Sequence, residues 1–341
     1  RLIRQNLLFR QNQAMRKDIH REYPVWGMVG KSPAMEVVFQ RIAKVALTDS
    51  TVLIYGESGT GKELVARAIH EQGQRSHGPL VTMNCAAIPD TLVESELFGY
   101  ERGAFTGADK ATAGLVESAD RGTLFLDEVA ELSATAQAGL LRVIQEGELR
   151  RLGSNRVKNV DVRVLAATHR NLVEQVENGL FREDLLYRLQ VIEITLPPLR
   201  ERKEDLPALT DHLLHRICQQ LNRSLCEIPA KVHERIAAYH WPGNVRELEN
   251  AIERAVILCD GNTIVPELLN LGRLQRQETK TPDQPMASLD AYFVEFVQQH
   301  QGQMTETELA RKLGISRKTL WERRQRFEIP RAKTTSLAKN S

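Results

Sequence analysis

Apolar residues follow two different spacings along this chain, and the change between them divides it into segments. From residue 27 to residue 200, short apolar runs alternate with amphipathic stretches long enough to be helices. This alternation is typical of strands joined by crossover helices in a parallel sheet, so we expect an α/β domain. The runs predicted as buried strands are Thr51–Tyr55, Leu80–Met83, Thr123–Leu126, Val162–Ala166 and Val191–Leu196.

After Pro197 and Pro198 the spacing of apolar residues becomes purely helical. We expect helices over 204–221, 229–239 and 244–259, which together form a small helical subdomain at 201–272. The polar segment 273–288 contains two prolines, and this composition predicts a linker.

Apolar residues at the N-terminus form a narrow helical stripe over residues 1–23, and Pro24 ends it. A pairing or linker helix within 1–26 fits this stripe, although an ordinary surface helix remains possible. The chain begins at Arg1 rather than Met. We therefore expect a further segment upstream in the natural protein.

The C-terminal part, residues 289–330, shows the pattern of three short helices. Leu289, Tyr292, Phe293, Phe296 and Val297 share one helical face. Thr305–Glu308 has the sequence of a capping box, and Ser316 follows a glycine turn as the N-cap of a third helix over 317–327. This arrangement is typical of a helix-turn-helix, with a polar tail at 331–341.

The third of these helices is strongly basic, as expected for an element that enters the DNA major groove and contacts phosphates. A solvated basic helix in a three-helix bundle is the alternative. The candidate DNA-binding residues are Ser316, Arg317, Lys318, Thr319, Arg323 and Arg324.

Charge is distributed unevenly, although the net charge of the 341 residues is only +2. Residues 1–23 carry +4, residues 24–300 carry −8 and residues 301–341 carry +6. Such asymmetry suggests a basic module for a polyanion joined to an acidic machine. The 42% apolar and 26% charged residues fit a globular protein. The four scattered cysteines and the lack of a long apolar run predict a cytoplasmic protein without disulfides, zinc or membrane spans.

A glycine-rich loop follows the first predicted strand and precedes an amphipathic helix at 62–71. Its residues are Gly56, Glu57, Ser58, Gly59, Thr60, Gly61 and Lys62. In this context the sequence predicts a phosphate-binding loop, because backbone N–H groups and the helix N-terminus face the phosphates. We expect Lys62 to contact the β- and γ-phosphates. Glu63 stands where such loops usually place a Mg²⁺-binding hydroxyl, and a glycine-rich surface loop is the alternative.

Two acidic residues end the apolar run Thr123–Leu126. Asp127 is placed to bind Mg²⁺, and Glu128 is placed to orient and deprotonate an attacking water. Because this pair follows the phosphate-binding loop by about seventy residues, it indicates hydrolysis of a nucleotide rather than binding alone.

A segment of small residues around one phenylalanine lies between these two motifs. Its residues are Gly103, Ala104, Phe105, Thr106, Gly107 and Ala108. It has neither helical nor strand periodicity, so we expect a flexible loop that presents an aromatic tip. The alternative is an ordinary loop whose phenylalanine packs into the core.

Taken together, the motifs resemble those of the bacterial enhancer-binding proteins, the AAA+ activators of RNA polymerase carrying sigma-54, of the nitrogen-regulator type. The similarity covers 29–271 and resumes in the C-terminal unit. It is carried by GESGTGKELVARAIH at 56–70, NCAA at 84–87, ESELFGYERGAFTGADK at 94–110, GTLFLDE at 122–128, FREDLLYRL at 181–189 and WPGNVRELEN at 241–250. The resemblance implies an AAA+ P-loop ATPase with a helical lid, followed by a Fis-like helix-turn-helix domain.

The resemblance also implies roles for single residues around the nucleotide. Asn84 matches the asparagine that holds the catalytic glutamate until the site is engaged, and Thr168 matches a polar sensor near the γ-phosphate. Val29 falls in the nucleotide-binding region, and Arg246 matches the sensor arginine of the lid. No role is assigned to His169.

Arg182 and Arg188 match a pair of arginine fingers that a neighbouring subunit would deliver to the γ-phosphate. Surface ion pairs with Glu183 and Asp184 are the alternative. Fingers supplied by a neighbour would make hydrolysis depend on assembly, as in the hexameric ring of the family.

The implied function is ATP-driven transcription activation. ATP and Mg²⁺ are the expected cofactors, and the segment 103–108 is the element expected to contact sigma-54. The expected partners are the sigma-54 RNA polymerase holoenzyme, double-stranded enhancer DNA, further copies of the chain in a dimer and a hexamer, and a sensor kinase acting on a receiver domain. The alternatives are an AAA+ remodeller of another protein and a repressor that uses the ATPase fold as a scaffold.

Overall fold

The computed structural model describes residues 27–259, 261–271, 297, 305–312, 315–327 and 329. The chain divides into two compact units, Arg1–Leu271 and Gly272–Ser341. The helix predicted over 1–23, the linker 273–288, the tail 331–341 and most of the helix predicted from Leu289 lie outside the described residues. Among the described helices, none has the length and apolar character needed to cross a membrane.

A five-stranded parallel sheet forms the centre of the first unit. The strands in the described residues are β1 (Val52–Tyr55), β2 (Leu80–Asn84), β3 (Gly99–Tyr100), β4 (Thr112–Ala113), β5 (Thr123–Asp127), β6 (Glu148–Arg150), β7 (Val157–Asn159), β8 (Arg163–Thr168) and β9 (Ile192–Thr195). The sheet has the order β2-β5-β8-β1-β9, and all four pairings are parallel. These five strands are the ones that the apolar runs predicted, so the α/β prediction is confirmed.

Helices cover both faces of this sheet, which explains the continuous apolar runs. On β5, Leu124 and Leu126 belong to one core cluster, whereas Phe125 belongs to the cluster on the opposite face. Successive side chains of a strand point to opposite faces, so a strand buried on both sides must be apolar throughout. The flanking helices are α1 (Pro33–Ala46), α2 (Lys62–Glu71), α3 (Asp90–Phe98), α4 (Leu115–Ser118), α5 (Ala134–Glu146), α6 (Leu172–Glu177) and α7 (Glu183–Leu189).

Three α-helices form the lid subdomain that follows the sheet: α8 (Leu206–Gln220), α9 (Ala230–Ala238) and α10 (Asn244–Leu258). They agree with the helices predicted from the apolar spacing. Trp241 is fully buried at the centre of the lid core, and its indole nitrogen donates to the carbonyl of Ile236 at 2.8 Å. A buried tryptophan whose N–H has an acceptor fixes the turn that precedes α10.

Two short antiparallel hairpins were not predicted. β3 pairs with β4, and β6 pairs with β7. Strands of two or three residues are too short to produce a recognisable alternation of apolar and polar positions. The first hairpin matters for function, because residues 101–111 between its strands contain the segment 103–108.

In the C-terminal unit, two helices are described, α11 (Glu306–Lys312) and α12 (Arg317–Arg326). The capping box is confirmed, since Thr305 N donates to Glu308 Oε2 at 2.9 Å and Glu308 N donates to Thr305 Oγ1 at 3.4 Å. Among the residues of this unit that the structure describes, the buried side chains are those of Val297, Leu309, Ala310, Leu320, Arg324 and Ile329.

Candidate nucleotide-binding and hydrolysis site

The carboxyl ends of four neighbouring parallel strands meet at one edge of the sheet. The glycine-rich loop follows β1, and Asn84, Asp127 and Thr168 are the last residues of β2, β5 and β8. The strand register sets Asn84 beside Asp127 and Tyr55 beside Thr168. Ligands of open α/β sheets bind at this edge, so the predicted residues converge on one candidate site.

The loop curls around the start of α2. Gly59 and Gly61 have φ angles of +78° and +104°, which favour glycine. Lys62 is buried at the first position of α2, and its Nζ donates to the carbonyl of Gly56 at 3.1 Å. The lysine therefore lies folded inside the loop, where the predicted phosphates would be bound.

Glu128 has two partners on its carboxylate. Lys62 Nζ lies 3.2 Å from Oε1, and His169 Nδ1 lies 2.7 Å from Oε2. Burial alone would raise the pKa of Glu128, but the hydrogen bond from His169 and the charge of Lys62 outweigh it and hold the pKa below its ordinary value. Glu128 also has a φ of +54°, an uncommon conformation for a non-glycine residue that recurs at functional sites.

The contact predicted between Asn84 and the catalytic glutamate is wrong for this structure. Asn84 Nδ2 faces Asp127 Oδ2 at 3.5 Å, and its Oδ1 accepts from Ala86 N at 3.0 Å. The Ala86 bond fixes the amide at the start of a 3₁₀ turn, so its nitrogen points along the strand pair to Asp127. The partners of Glu128 are instead Lys62 and His169.

Asp127 lies half-buried beside this pair. Burial raises the pKa of Asp127 above its ordinary value; the charge of Lys62 opposes this shift and the neighbouring Glu128 adds to it. Its Oδ1 accepts from the backbone N–H of Glu128 at 3.1 Å. A carboxylate that is desolvated in this way gains from a bound cation.

Two of the predicted nucleotide contacts are turned away from the loop. The carboxylate of Glu63 lies 3.6 Å from Arg67 on the exposed side of α2, so only the backbone of Glu63 is available to a phosphate. Thr168 is fully buried, and its hydroxyl accepts from Arg170 N at 3.0 Å. The carbonyl of Thr168 nevertheless accepts from Gly56 N at 3.3 Å, which ties β8 to the loop.

A cleft between the sheet and the lid opens beside the loop. Val29 lies in its wall, as expected for a residue in the nucleotide-binding region. The residues that line the cleft include Gly27, Met28, Val29, Thr60, Gly61, Leu64, Leu196, Arg202, His212 and Val245. A mostly apolar cleft that ends at a phosphate-binding loop suits a flat nucleobase.

Arg246 reaches the loop from the lid. Its Nη1 lies 3.2 Å from Ser58 Oγ, and its backbone N donates to the carbonyl of Gly59 at 3.3 Å. The sensor position inferred from the resemblance is therefore adjacent to the phosphate-binding loop in the folded protein.

Arg182 and Arg188 lie exposed at opposite ends of α7. Arg182 forms a bidentate ion pair with Asp184, with N–O distances of 3.0 Å and 2.7 Å. A surface ion pair with Asp184 was the alternative to the role of Arg182 as an arginine finger. The pair is open to solvent, where such pairs contribute little to stability, so a stronger anion can take its place.

The segment 103–108 forms a small closed loop. Gly103 N donates to the carbonyl of Ala108 at 2.9 Å, and both glycines have positive φ. Phe105 is 43% exposed, with its ring 4.9 Å from that of Tyr100. The alternative that Phe105 packs into the core is therefore wrong, and the loop presents an aromatic tip as predicted.

Charged residues hold the base of this loop. Arg151 lies 3.1 Å from Glu101 and 2.8 Å from Glu117, and Lys158 also pairs with Glu117. The pair with Glu101 connects the β6–β7 hairpin to the β3–β4 hairpin, and the pairs with Glu117 connect it to α4. They anchor the loop to the sheet subdomain while its tip remains accessible.

Most predicted DNA-binding residues lie at the start of α12. Ser316 Oγ accepts from Thr319 N at 3.1 Å, while Arg317 and Lys318 are exposed. The side chain of Arg323 lies outside the described ones. Arg324 does not fit the prediction, because it is buried and pairs with Glu306 at 3.3 Å. A side chain that turns inward to join α12 to α11 is not available to DNA.

Three residues at the site were missed by sequence reasoning. His169 directly follows Thr168, the predicted sensor, so its position in the sequence indicated that it lies near the site. Its contact with Glu128 could not be inferred from the sequence. Arg200 and Asn244 both bind Glu57 but come from segments 143 and 187 residues away along the chain, a pairing that no local pattern predicts.

Comparisons with known proteins agree with this geometry. Residues 28–195 match the sigma-54 interaction domain, and residues 200–286 match the AAA+ ATPase lid domain. The transcriptional regulatory protein ZraR of Salmonella typhimurium is 50% identical over 298 residues, which cover 86% of this chain and 67% of that protein. The regulatory protein AtoC of Escherichia coli is 42% identical over 338 residues, covering 94% and 73%.

Among solved structures, NtrX from Brucella abortus in complex with ADP is 33% identical, with a TM-score of 0.68 over 96% of this chain and 74% of that one. The same protein has also been solved in complex with ATP. The matched domains cover both the sheet and the lid. The chain thus belongs to the sigma-54-dependent, enhancer-binding transcription activators, and it is an ATP-binding AAA+ P-loop ATPase that couples ATP hydrolysis to transcription activation.

Proposed function

We propose that this chain assembles into a ring on enhancer DNA and hydrolyses ATP with Mg²⁺ to move the loop 103–108 against sigma-54. The observation that carries the proposal is the convergence of Lys62, Asp127 and Glu128 at the carboxyl edge of the parallel sheet. The hydrolytic step, the ring and the DNA contact each rest on separate groups of residues.

Hydrolysis begins from a resting arrangement in which Lys62 and Glu128 neutralise each other across 3.2 Å. Phosphate oxygens compete with Glu128 for Lys62, because both are anions and the loop N–H groups favour the phosphates. Release of Glu128 from Lys62 leaves His169 as its partner, which orients the carboxylate to take a proton from water.

The residues at this edge fit a Mg²⁺ ion. In nucleotide sites Mg²⁺ is held by one or two carboxylates together with phosphate oxygens and waters, so a hydroxyl in place of Glu63 is not required. Asp127 would hold the ion, whose charge would oppose the effect of burial that raises the pKa of this carboxyl. A bound Mg²⁺ ion would neutralise part of the negative charge on the phosphates.

The arginine fingers account for a requirement for assembly. Arg182 and Arg188 lie on the exposed surface of α7, where a second copy of the chain can approach. Delivery of a guanidinium to the γ-phosphate is worth about 10³–10⁵ in rate in related systems. A head-to-tail contact of this kind closes into a ring, and the hexamer of the family is the proposed form.

Double-stranded DNA and a sensor kinase complete the proposed set of partners. Arg317 and Lys318 on α12 supply exposed positive charge for double-stranded DNA. A receiver domain that responds to a sensor kinase is proposed as the regulatory input of the natural protein.

Binding to sigma-54 in the presence of ADP and aluminium fluoride, which mimics the γ-phosphate, tests this proposal. We expect a complex with the wild-type chain that is lost on Phe105→Ala. A chain that hydrolyses ATP but never binds sigma-54 under these conditions would instead be a remodeller of another protein.

A further inference from the structure

One buried asparagine joins three separate segments around the nucleotide site. Asn244 is the first residue of α10, is completely buried and has a φ of +52°. Its Oδ1 accepts from Leu199 N at 2.8 Å, and its Nδ2 donates to Glu57 Oε2 at 3.1 Å and to the carbonyl of Ser58 at 3.0 Å. The connection from the sheet to the lid, the phosphate-binding loop and the lid helix therefore share one side chain.

Arg200 completes this cluster from the connection between the subdomains. Its guanidinium binds both oxygens of Glu57, at 2.8 Å and 2.6 Å. The hydrogen bonds from Arg200 hold the pKa of Glu57 below its ordinary value, so the carboxylate is charged at neutral pH. Glu57, Ser58, Leu199, Arg200 and Asn244 are called the Asn244 junction below.

The backbone of the lid helix depends on the same loop. A helix begins with N–H groups that have no partner within the helix, and the N-cap residue of α10, Gly243, has no side chain to accept from them. The carbonyl of Gly59 accepts from Val245 N at 3.0 Å and from Arg246 N at 3.3 Å. A Cβ on Gly59 would lie 2.3 Å from the carbonyl of Gly243, so only glycine permits this approach.

We infer that Asn244 is a positioning residue that makes the phosphate-binding loop and the lid move as one body. A change in the loop on binding phosphate then turns α10 and carries Arg246 with it. Only an amide can serve here, because the junction needs an acceptor for Leu199 N and donors for Glu57 and Ser58. The inference rests on the proposed function, since it explains how nucleotide occupancy reaches the lid.

The strained backbone of Asn244 supports a role beyond packing. Asparagine tolerates the left-handed region better than most residues, yet the conformation still costs free energy that its surroundings must offset. Here the compensation comes from hydrogen bonds to two other segments. Loss of those bonds therefore affects the orientation of α10 as well as local stability.

An exchange of polar groups between positions 244 and 57 provides the test. Asn244→Asp keeps the acceptor for Leu199 N but loses both donors and places a second carboxylate against Glu57. Adding Glu57→Gln places an amide donor opposite the carboxylate that Asn244→Asp introduces, and so restores the hydrogen bond with its direction reversed. In the full chain, we expect Asn244→Asp to lower kcat for ATP hydrolysis about tenfold with a smaller change in KM, and the double variant to recover about threefold or more.

The matched control is Glu204→Gln, which removes an exposed charge near the same connection and should hydrolyse ATP as the wild type does. If Asn244→Asp does not fold, Arg200→Gln removes the exposed arm of the junction, and we expect it to lower kcat about threefold. The inference is overturned if these variants hydrolyse ATP normally, or if Glu57→Gln gives no recovery. An inactive wild-type chain would contradict the proposed function instead, so the two failures are distinguishable.

Discussion

The imidazole Nδ1 of His169 lies 2.7 Å from Oε2 of Glu128, while Lys62 occupies the other oxygen of the same carboxylate at 3.2 Å. The carboxylate that is proposed to activate water is therefore held from two sides. In the proposed mechanism, a phosphate bound to Lys62 would free one oxygen of the carboxylate, and His169 would orient the group through the other oxygen.

The first prediction concerns Glu128 itself. Glu128→Gln keeps the size of the side chain but cannot accept the proton of water, so kcat should fall by about 10²–10⁴. ATP binding should persist, because Lys62 and the loop N–H groups are unchanged. Phosphate release together with equilibrium nucleotide binding measures both quantities, and an active variant would exclude Glu128 as the base.

His169 should matter through Glu128 rather than through nucleotide affinity. Replacement by Ala removes the 2.7 Å contact, and we expect a lower kcat with nearly unchanged KM. Replacement by Asn retains a donor and should restore part of kcat. Equal loss in both variants would mean that the contact has no part in orienting the carboxylate.

The proposed fingers can be tested by mixing two inactive chains. Lys62→Ala removes the phosphate contact and Arg182→Ala removes a finger, so each homogeneous assembly should lose ATPase activity. In a mixed ring some interfaces combine an intact loop with an intact finger, and activity should return. No recovery over a range of mixing ratios would contradict a finger delivered by a neighbouring subunit.

The ion pairs at the base of the 103–108 loop predict a dependence of stability on pH. The hydrogen bonds from Lys158 and then Arg151 hold the pKa of Glu117 below its ordinary value of 4.5. Because the unfolded chain takes up the proton first as the pH falls, this stabilisation is complete above the ordinary value and is lost through the lower folded pKa.

Urea unfolding of the wild type and of Glu117→Gln at neutral and acidic pH measures this effect. We expect the difference in free energy of unfolding between the two chains to shrink as the pH falls below about 4.5. A difference that stays constant down to the acid transition would show that the pairs do not stabilise the hairpins.

Two arginines of the C-terminal unit should behave differently. Arg317→Ala removes an exposed charge, so enhancer affinity should fall for all sequences and the salt slope should decrease by about 1. Arg324→Met removes the partner of Glu306 and should instead weaken protection of α11 and α12 in hydrogen exchange of the full chain. Normal protection in Arg324→Met would return Arg324 to the candidate DNA contacts.

The elements that could be predicted from the sequence are those marked by an apolar run of several residues or by capping residues close together in the chain. The five buried strands, the three lid helices and the two caps at Thr305 and Ser316 all follow from apolar runs or from capping chemistry within a few residues. The meeting of Asn84, Asp127 and Lys62 at one edge follows from parallel pairing, because strands of one direction end on the same side.

The errors concern where side chains turn once the chain has folded. Asn84 faces Asp127 because Ala86 fixes its amide, and Arg324 turns inward because Glu306 lies across the unit. Neither partner can be inferred from spacing. The same holds for Asn244, whose role depends on segments brought together by the lid.

Promoter melting by the sigma-54 RNA polymerase holoenzyme is the most direct test of the central claim that hydrolysis at Glu128 drives transcription through Phe105. The wild-type chain should open an enhancer-linked promoter only with hydrolysable ATP, and Glu128→Gln should open none. Phe105→Ala should hydrolyse ATP without opening the promoter, while Phe105→Tyr retains the ring as a control. Opening that proceeds without hydrolysis, or with the Phe105→Ala chain, would contradict the account.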